Sequence, residues 1–111
     1  MVKINEREVD YRFGDSGPKY LMRGPKIDFG MVKLKPGEDF PAHYHNEVEE
    51  SFYILEGEIH FNVAGNEFDA KKGDLVSCAP GESHYLINNS KSDAIAAFVK
   101  SPSIKDDKVN I

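Results

Sequence analysis

Gly37-Glu38-Asp39-Phe40-Pro41-Ala42-His43-Tyr44-His45-Asn46-Glu47-Val48-Glu49-Glu50-Ser51-Phe52-Tyr53-Ile54-Leu55-Glu56-Gly57 carries two of the chain's four histidines one residue apart, with three glutamates close behind. Side chains at i and i+2 of a strand share a face, so His43 and His45 point the same way while Tyr44 points opposite. Glu50 has the wrong parity to continue that strand. The polar run Asn46-Glu47-Val48-Glu49 therefore turns the chain, and a new strand starts near Glu50. On it Glu50, Phe52 and Ile54 share one face, and Glu49, Ser51, Tyr53 and Leu55 the other. Glu47, Glu49 and Glu50 are all conceivable partners for the histidines. Glu50 is favoured because its face continues into two large apolar residues and so looks inward.

A second stretch runs from Gly73 through Pro80-Gly81 to His84 and Asn88. It adds a third imidazole from a distant strand. Three imidazoles and one carboxylate make a donor set that divalent manganese, iron, nickel, copper or zinc accepts readily. The expectation is one such ion per subunit. His60 lies opposite an apolar face and reads as a surface histidine. Asn88 shares strand parity with His84, so it either supports that ligand or closes the turn Asn88-Asn89-Ser90. Cys78 reads as a small buried hydrophobe.

Together the two stretches resemble the paired motifs of the cupin superfamily. Gly37, His43, His45, Glu50 and Gly57 fit the first motif without a gap. Gly73, Gly81, His84 and Asn88 fit the second; Ala79 stands where a proline is usual, with Pro80 one step later. The resemblance implies an all-β fold, the double-stranded β-helix or jelly-roll-like barrel, and His43, His45, Glu50 and His84 as metal ligands. It also implies a range of chemistry. The first expectation is a small enzyme acting on a metal-chelating sugar, sugar acid or oxoacid by isomerisation, ring opening or a lyase step. The alternatives are a metal-dependent dioxygenase and a non-catalytic module that holds a small ligand. Arg23, Lys26 and Lys33 are the cations nearest the first strands and candidates to meet a substrate carboxylate. Tyr44 and Asp28 are candidate acid–base groups. The catalytic residues are otherwise unassigned, since fold likeness alone does not fix function.

The rest of the chain agrees with a β-rich domain. Ile27 to Lys35 reads as a strand closed by Pro36-Gly37. Ile59, Phe61 and Val63 alternate with Glu58, His60 and Asn62. Gly65-Asn66 offers a hairpin turn, with Glu67 to Ala70 returning. Lys72-Gly73-Asp74 turns the chain before Leu75-Val76, and Tyr85 to Ile87 and Ala94 to Val99 complete a series of short strands. The expected organisation is a single domain over residues 1–111: an arm over 1–26 with one or two edge strands, a barrel over 27–100, and a polar tail over 101–111 that wraps the surface.

Composition narrows the function classes. With 111 residues the chain is long enough to bury a core without staples. No run approaches the ~20 apolar residues of a membrane helix, and the charged first ten residues argue against a secretory signal. A single cysteine permits no intrachain disulfide, which fits a reducing cytoplasm. A net charge of −5 offers no electrostatic reason to bind nucleic acid. By parity Phe29, Met31, Tyr53 and Leu55 lie on outer strand faces, and small cupins are commonly dimers, so a homodimer is expected.

Overall fold

The computed structural model describes residues 1–111. After a single 3-10 turn at Glu6–Glu8, ten strands follow: β1 (Gly17–Arg23), β2 (Asp28–Leu34), β3 (Asp39–His45), β4 (Glu49–Glu56), β5 (Glu58–Val63), β6 (Asn66–Lys71), β7 (Leu75–Cys78), β8 (His84–Ile87), β9 (Ala94–Ser101) and β10 (Lys108–Asn110). They form two antiparallel five-stranded sheets, ordered β1-β2-β9-β4-β7 and β10-β3-β8-β5-β6. The sheets face each other and bury one apolar cluster, in which Ile54, Ile59, Phe61, Ala94 and Ala96 are fully buried. This is the double-stranded β-helix that the resemblance implies.

The alternation that marks each strand also sorts the inner face into layers. Across β2, β9 and β4, Leu34 pairs with Ala94, and Val32 with Ala96 and Ile54. The next row is Gly30, Phe98, Phe52 and, on β7, Val76. The row after that is polar: Asp28, Lys100, Glu50 and Cys78. One end of the barrel is thus filled by hydrocarbon, and the other end presents charge to an interior cavity. Gly30 makes the intermediate row possible. A Cβ there would run into the Lys19 carbonyl and the Phe98 ring, and its absence lets Tyr20 pack edge-on against Phe98 at 5.2 Å.

Two expectations about connections need correction. The hairpin between β5 and β6 turns at Ala64-Gly65, one residue earlier than expected, and Asn66 is already paired with Val63. Both central residues have left-handed backbone, with φ of 50° and 87°, as a two-residue hairpin turn of this hand requires. The side chains of Asn62 and Asn66 hold that register: Asn62 accepts from the Gly65 N–H and Asn66 donates to the Val63 carbonyl. The tail also does more than wrap the surface. Lys108–Asn110 adds an edge strand beside β3. Just before it, the buried Asp107 carboxylate accepts hydrogen bonds from the Glu47 and Val48 N–H groups at 2.8 and 3.0 Å. Those N–H contacts, Glu47's first, hold the Asp107 carboxyl below its ordinary range. The tail therefore braces the turn that carries the chain from His45 to Glu50.

Candidate metal centre

His43 and His45 leave β3 on its inner face, His84 opens β8 directly beside them, and Glu50 projects from β4 in the opposite sheet. All four side chains are buried. One nitrogen of each imidazole and one carboxylate oxygen lie within 4.8 Å of one another, an arrangement that could hold a metal ion. The Nε2 atoms of His45, His84 and His43 stand 3.0, 3.1 and 3.8 Å from Glu50 Oε1. Ligand bonds of about 2.1 Å put neighbouring donors about 3.0 Å apart at right angles, about 3.4 Å at tetrahedral angles and about 4.2 Å when opposed, so the two shorter spacings match neighbouring donors of one ion and the His43 spacing falls between neighbouring and opposed donors.

The tautomers point the same way. His43 Nδ1 lies 2.9 Å from the Pro41 carbonyl and His84 Nδ1 3.2 Å from that of Glu82. A carbonyl only accepts, so each Nδ1 carries the proton and, in the neutral ring, leaves a lone pair on Nε2 facing the Glu50 oxygen. Such carbonyl contacts fix ring orientation at metal-binding histidines. Lone pairs converging on a carboxylate need a positive centre, either added protons or a cation. Burial pushes the Glu50 carboxyl upward; where the facing ring nitrogens carry the added protons, their hydrogen bonds from His43, His45 and His84 and the charge of Lys100 outweigh it and hold the group well below the usual carboxylate range.

Glu47 and Glu49, the other carboxylates the sequence left open, are exposed. His60 stands apart on the outer face of β5, between Asp69 at 2.7 Å and Glu67 at 3.1 Å. Asn88 takes the turn role: it donates to the Leu34 and Ser92 carbonyls and accepts from Ser90, with no contact to His84. Cys78 is buried beside Glu50, and burial above all pushes its thiol up to about 12.

A cavity of about 570 Å³ opens onto the cluster. Of the three cations considered from sequence, only Arg23 lines it; Lys33 pairs with Asp93 and Lys26 is exposed. Asp28 lines it too, but its carboxylate is engaged by the Gly24 N–H and the Ser103 hydroxyl. Tyr44 is on the opposite face of β3 and absent from the lining. Arg12, Lys100, Lys105 and Lys108 are cavity residues that the sequence reading missed. For Lys100 a signal was there: it continues the inward parity of Ala94, Ala96 and Phe98. Lys108 gave none, because its strand is three residues long and polar.

The cupin domain family matches residues 30–100. Tetracenomycin polyketide synthase protein TcmJ of Streptomyces glaucescens is 29% identical over 73 residues, covering 66% of this chain and 49% of that protein. The chain spans half or less of the length of the curated relatives that it matches. Among solved structures, a conserved double-stranded β-helix protein from Klebsiella pneumoniae superposes with a TM-score of 0.84 at 18% identity, over 99% of this chain and 96% of that one. The polyketide cyclase RemF from Streptomyces resistomycificus gives 0.82 at 17% identity, over 100% and 85%. These likenesses repeat the fold, and the sequence match spans both histidine-bearing stretches: the chain belongs to the cupin domain family.

Proposed function

We propose that His43, His45, Glu50 and His84 bind one divalent transition metal, and that the protein is a metal-dependent enzyme acting on a small, oxygen-rich substrate that chelates it. The observation that carries this reading is the convergence of three imidazole nitrogens on one buried carboxylate, with His43, His45 and Glu50 lining a ligand-sized cavity. When bound, the metal would act as a Lewis acid toward a carbonyl, carboxylate or hydroxyl oxygen. The chain's own contribution is positional. Pro41 and Glu82 carbonyls orient two of the rings, the Asp107 carboxylate fixes the turn between His45 and Glu50, and Phe52 and Phe98 wall the cavity with hydrocarbon.

A sugar, sugar acid or oxoacid fits this description through adjacent oxygens, and isomerisation, ring opening or a lyase step is the chemistry in view. A second reading, cyclisation of a poly-oxo chain, is favoured by the relatedness to TcmJ and the RemF likeness together with the aromatic wall of Tyr20, Phe40, Phe52 and Phe98. Elemental analysis of protein purified without added metal tests the common premise, with close to one equivalent per chain expected in the wild type and none in His43→Ala or Glu50→Ala. Turnover of a sugar-acid and oxoacid panel, against a poly-oxo substrate, then separates the two. Oxygen consumption during turnover would move the assignment to a dioxygenase.

A further inference from the structure

The cavity holds a charge imbalance that the metal cluster does not explain. Five of the chain's 14 lysine and arginine residues line it, against four of its 19 carboxylates, although the whole chain is strongly acidic. Three of those carboxylates are already engaged: Glu50 by the histidines, Asp28 by Gly24 and Ser103, Asp107 by the Glu47 and Val48 amides. None of the five cations is in an ion pair, whereas Lys19, Lys33 and Lys35 elsewhere each have a carboxylate partner.

Two of these cations sit in register with the cluster. Lys100 is the direct cross-strand partner of Glu50, and Lys108 that of His45, so one lysine stands beside the site in each sheet. Directly opposed residues have Cβ atoms about 5 Å apart and share a face. The Lys100 ammonium donates to the Tyr20 hydroxyl at 2.5 Å, and the Lys108 ammonium lies 5.2 Å from the centre of the Phe40 ring. These aromatic contacts are neutral, and the one carboxylate within charge reach of both lysines is Glu50, itself engaged by the histidines. Arg23, stacked 3.7 Å over the Tyr20 ring, and the exposed Arg12 extend the positive surface to the rim.

We infer that the ligand of this cavity is an organic acid, whose carboxylate is held by Lys100 and Lys108 while its body lies against Phe52 and Phe98. The inference rests on the functional reading above and narrows it: neutral sugars are excluded, and acids remain. The two lysines act as specificity-determining residues at the cavity wall. They approach from opposite sheets, so a carboxylate between them would receive charge-assisted hydrogen bonds from two sides.

Calorimetric titration with matched probes tests this: D-glucuronate against D-glucuronamide, and benzoate against benzamide, on the protein as purified and after chelation, with metal content measured on each sample. At least one acid should bind tenfold or more tightly than its amide, and added sodium chloride should weaken it. Lys100→Gln and Lys108→Gln should each lower acid affinity about tenfold, the order expected for one charge-assisted hydrogen bond, with metal content unchanged and with Lys72→Gln behaving as wild type. Equal binding of acid and amide, no binding of either acid, or wild-type acid affinity in both lysine variants would overturn the inference. If metal is bound yet the lysine variants bind acid normally, this inference falls alone. A lysine-dependent preference for acid in protein that takes up no metal would sustain it while the metal reading falls.

Discussion

Removing divalent metal from the cluster should lower the melting temperature substantially and leave cooperative unfolding intact. An ion present at a hundred times its dissociation constant stabilises the folded state by about 2.7 kcal/mol. For a domain near this size each kcal/mol moves the midpoint by about 4–8 °C, so chelation should cost roughly 10–20 °C. The fold should survive because its layers are separate. The row of Asp28, Lys100 and Glu50 lies two rows from Val32, Ala96 and Ile54, and Ile59 and Phe61 complete a core in which Ile54, Ile59, Phe61 and Ala96 have no exposure to water. Melts followed by circular dichroism, with and without chelator, read the shift directly. His84→Ala, whose cluster is incomplete, should melt at the same temperature in both conditions. Non-cooperative melting of the chelated wild type would refute the layered argument and make the ion a structural requirement, as in small zinc domains. A wild-type midpoint that chelator leaves unmoved, in protein that does contain metal, would place that metal elsewhere.

Gly30→Ala should destabilise the barrel by about 1–3 kcal/mol, because the added methyl meets backbone at Lys19 and the Phe98 ring at once; denaturant titration measures it. Hydrogen bonds that His60 donates to Asp69 first and Glu67 second raise its pKa. Its contribution is therefore full below the unfolded value near 6.5 and lost as pH rises through the folded one; His60→Gln should flatten the fall in stability as pH rises above about 6.5, by under about 1 kcal/mol for so exposed a cluster. The outer face of the first sheet carries Phe29, Met31, Tyr53, Leu55 and Leu75 around a shallow apolar groove, and we expect two copies to pair there. Light scattering at micromolar concentration should give twice the 12.5 kDa of one chain, and Tyr53→Glu should return it to a monomer.

What could be read from sequence was whatever one strand specifies by itself. The alternation of Ile59, Phe61 and Val63 announces their burial, and the parity break between His45 and Glu50 announces both the turn and the inward carboxylate. What could not be read depended on neighbours in the sheet. Lys108 becomes a cavity residue only through its pairing with His45, sixty-three positions away in the chain. Asp107 looks like one charge among several in a polar tail until the Glu47 and Val48 amides are seen against it. Ala64 gives no hint that it adopts a left-handed backbone; Gly65 and two flanking asparagines decide the register, and the alanine follows. Asn88 has the spacing of a ligand support and the contacts of a turn, because four hydrogen bonds to the 34 and 90–92 segments claim its amide.

If the cluster holds a cation and the lysines hold an acid, the two events are linked. Lys100 stands across one strand pair from Glu50, and Lys108 across one from His45, so both ammonium groups repel an incoming divalent ion. A carboxylate seated between them cancels that repulsion and places negative charge beside the metal. Acid should therefore raise metal affinity, and by thermodynamic reciprocity metal should raise acid affinity by the same factor. Coupling between bound sites is typically about 5–150-fold, and a direct chelating contact would put this one toward the upper end. Titrating manganese into chelated protein with and without saturating acid probe measures it. Lys100→Gln should bind metal somewhat more tightly than wild type when acid is absent, and should lose part of the acid-induced gain. Metal affinity indifferent to acid in the wild type would mean that the two groups do not share one cavity, whatever each binds alone.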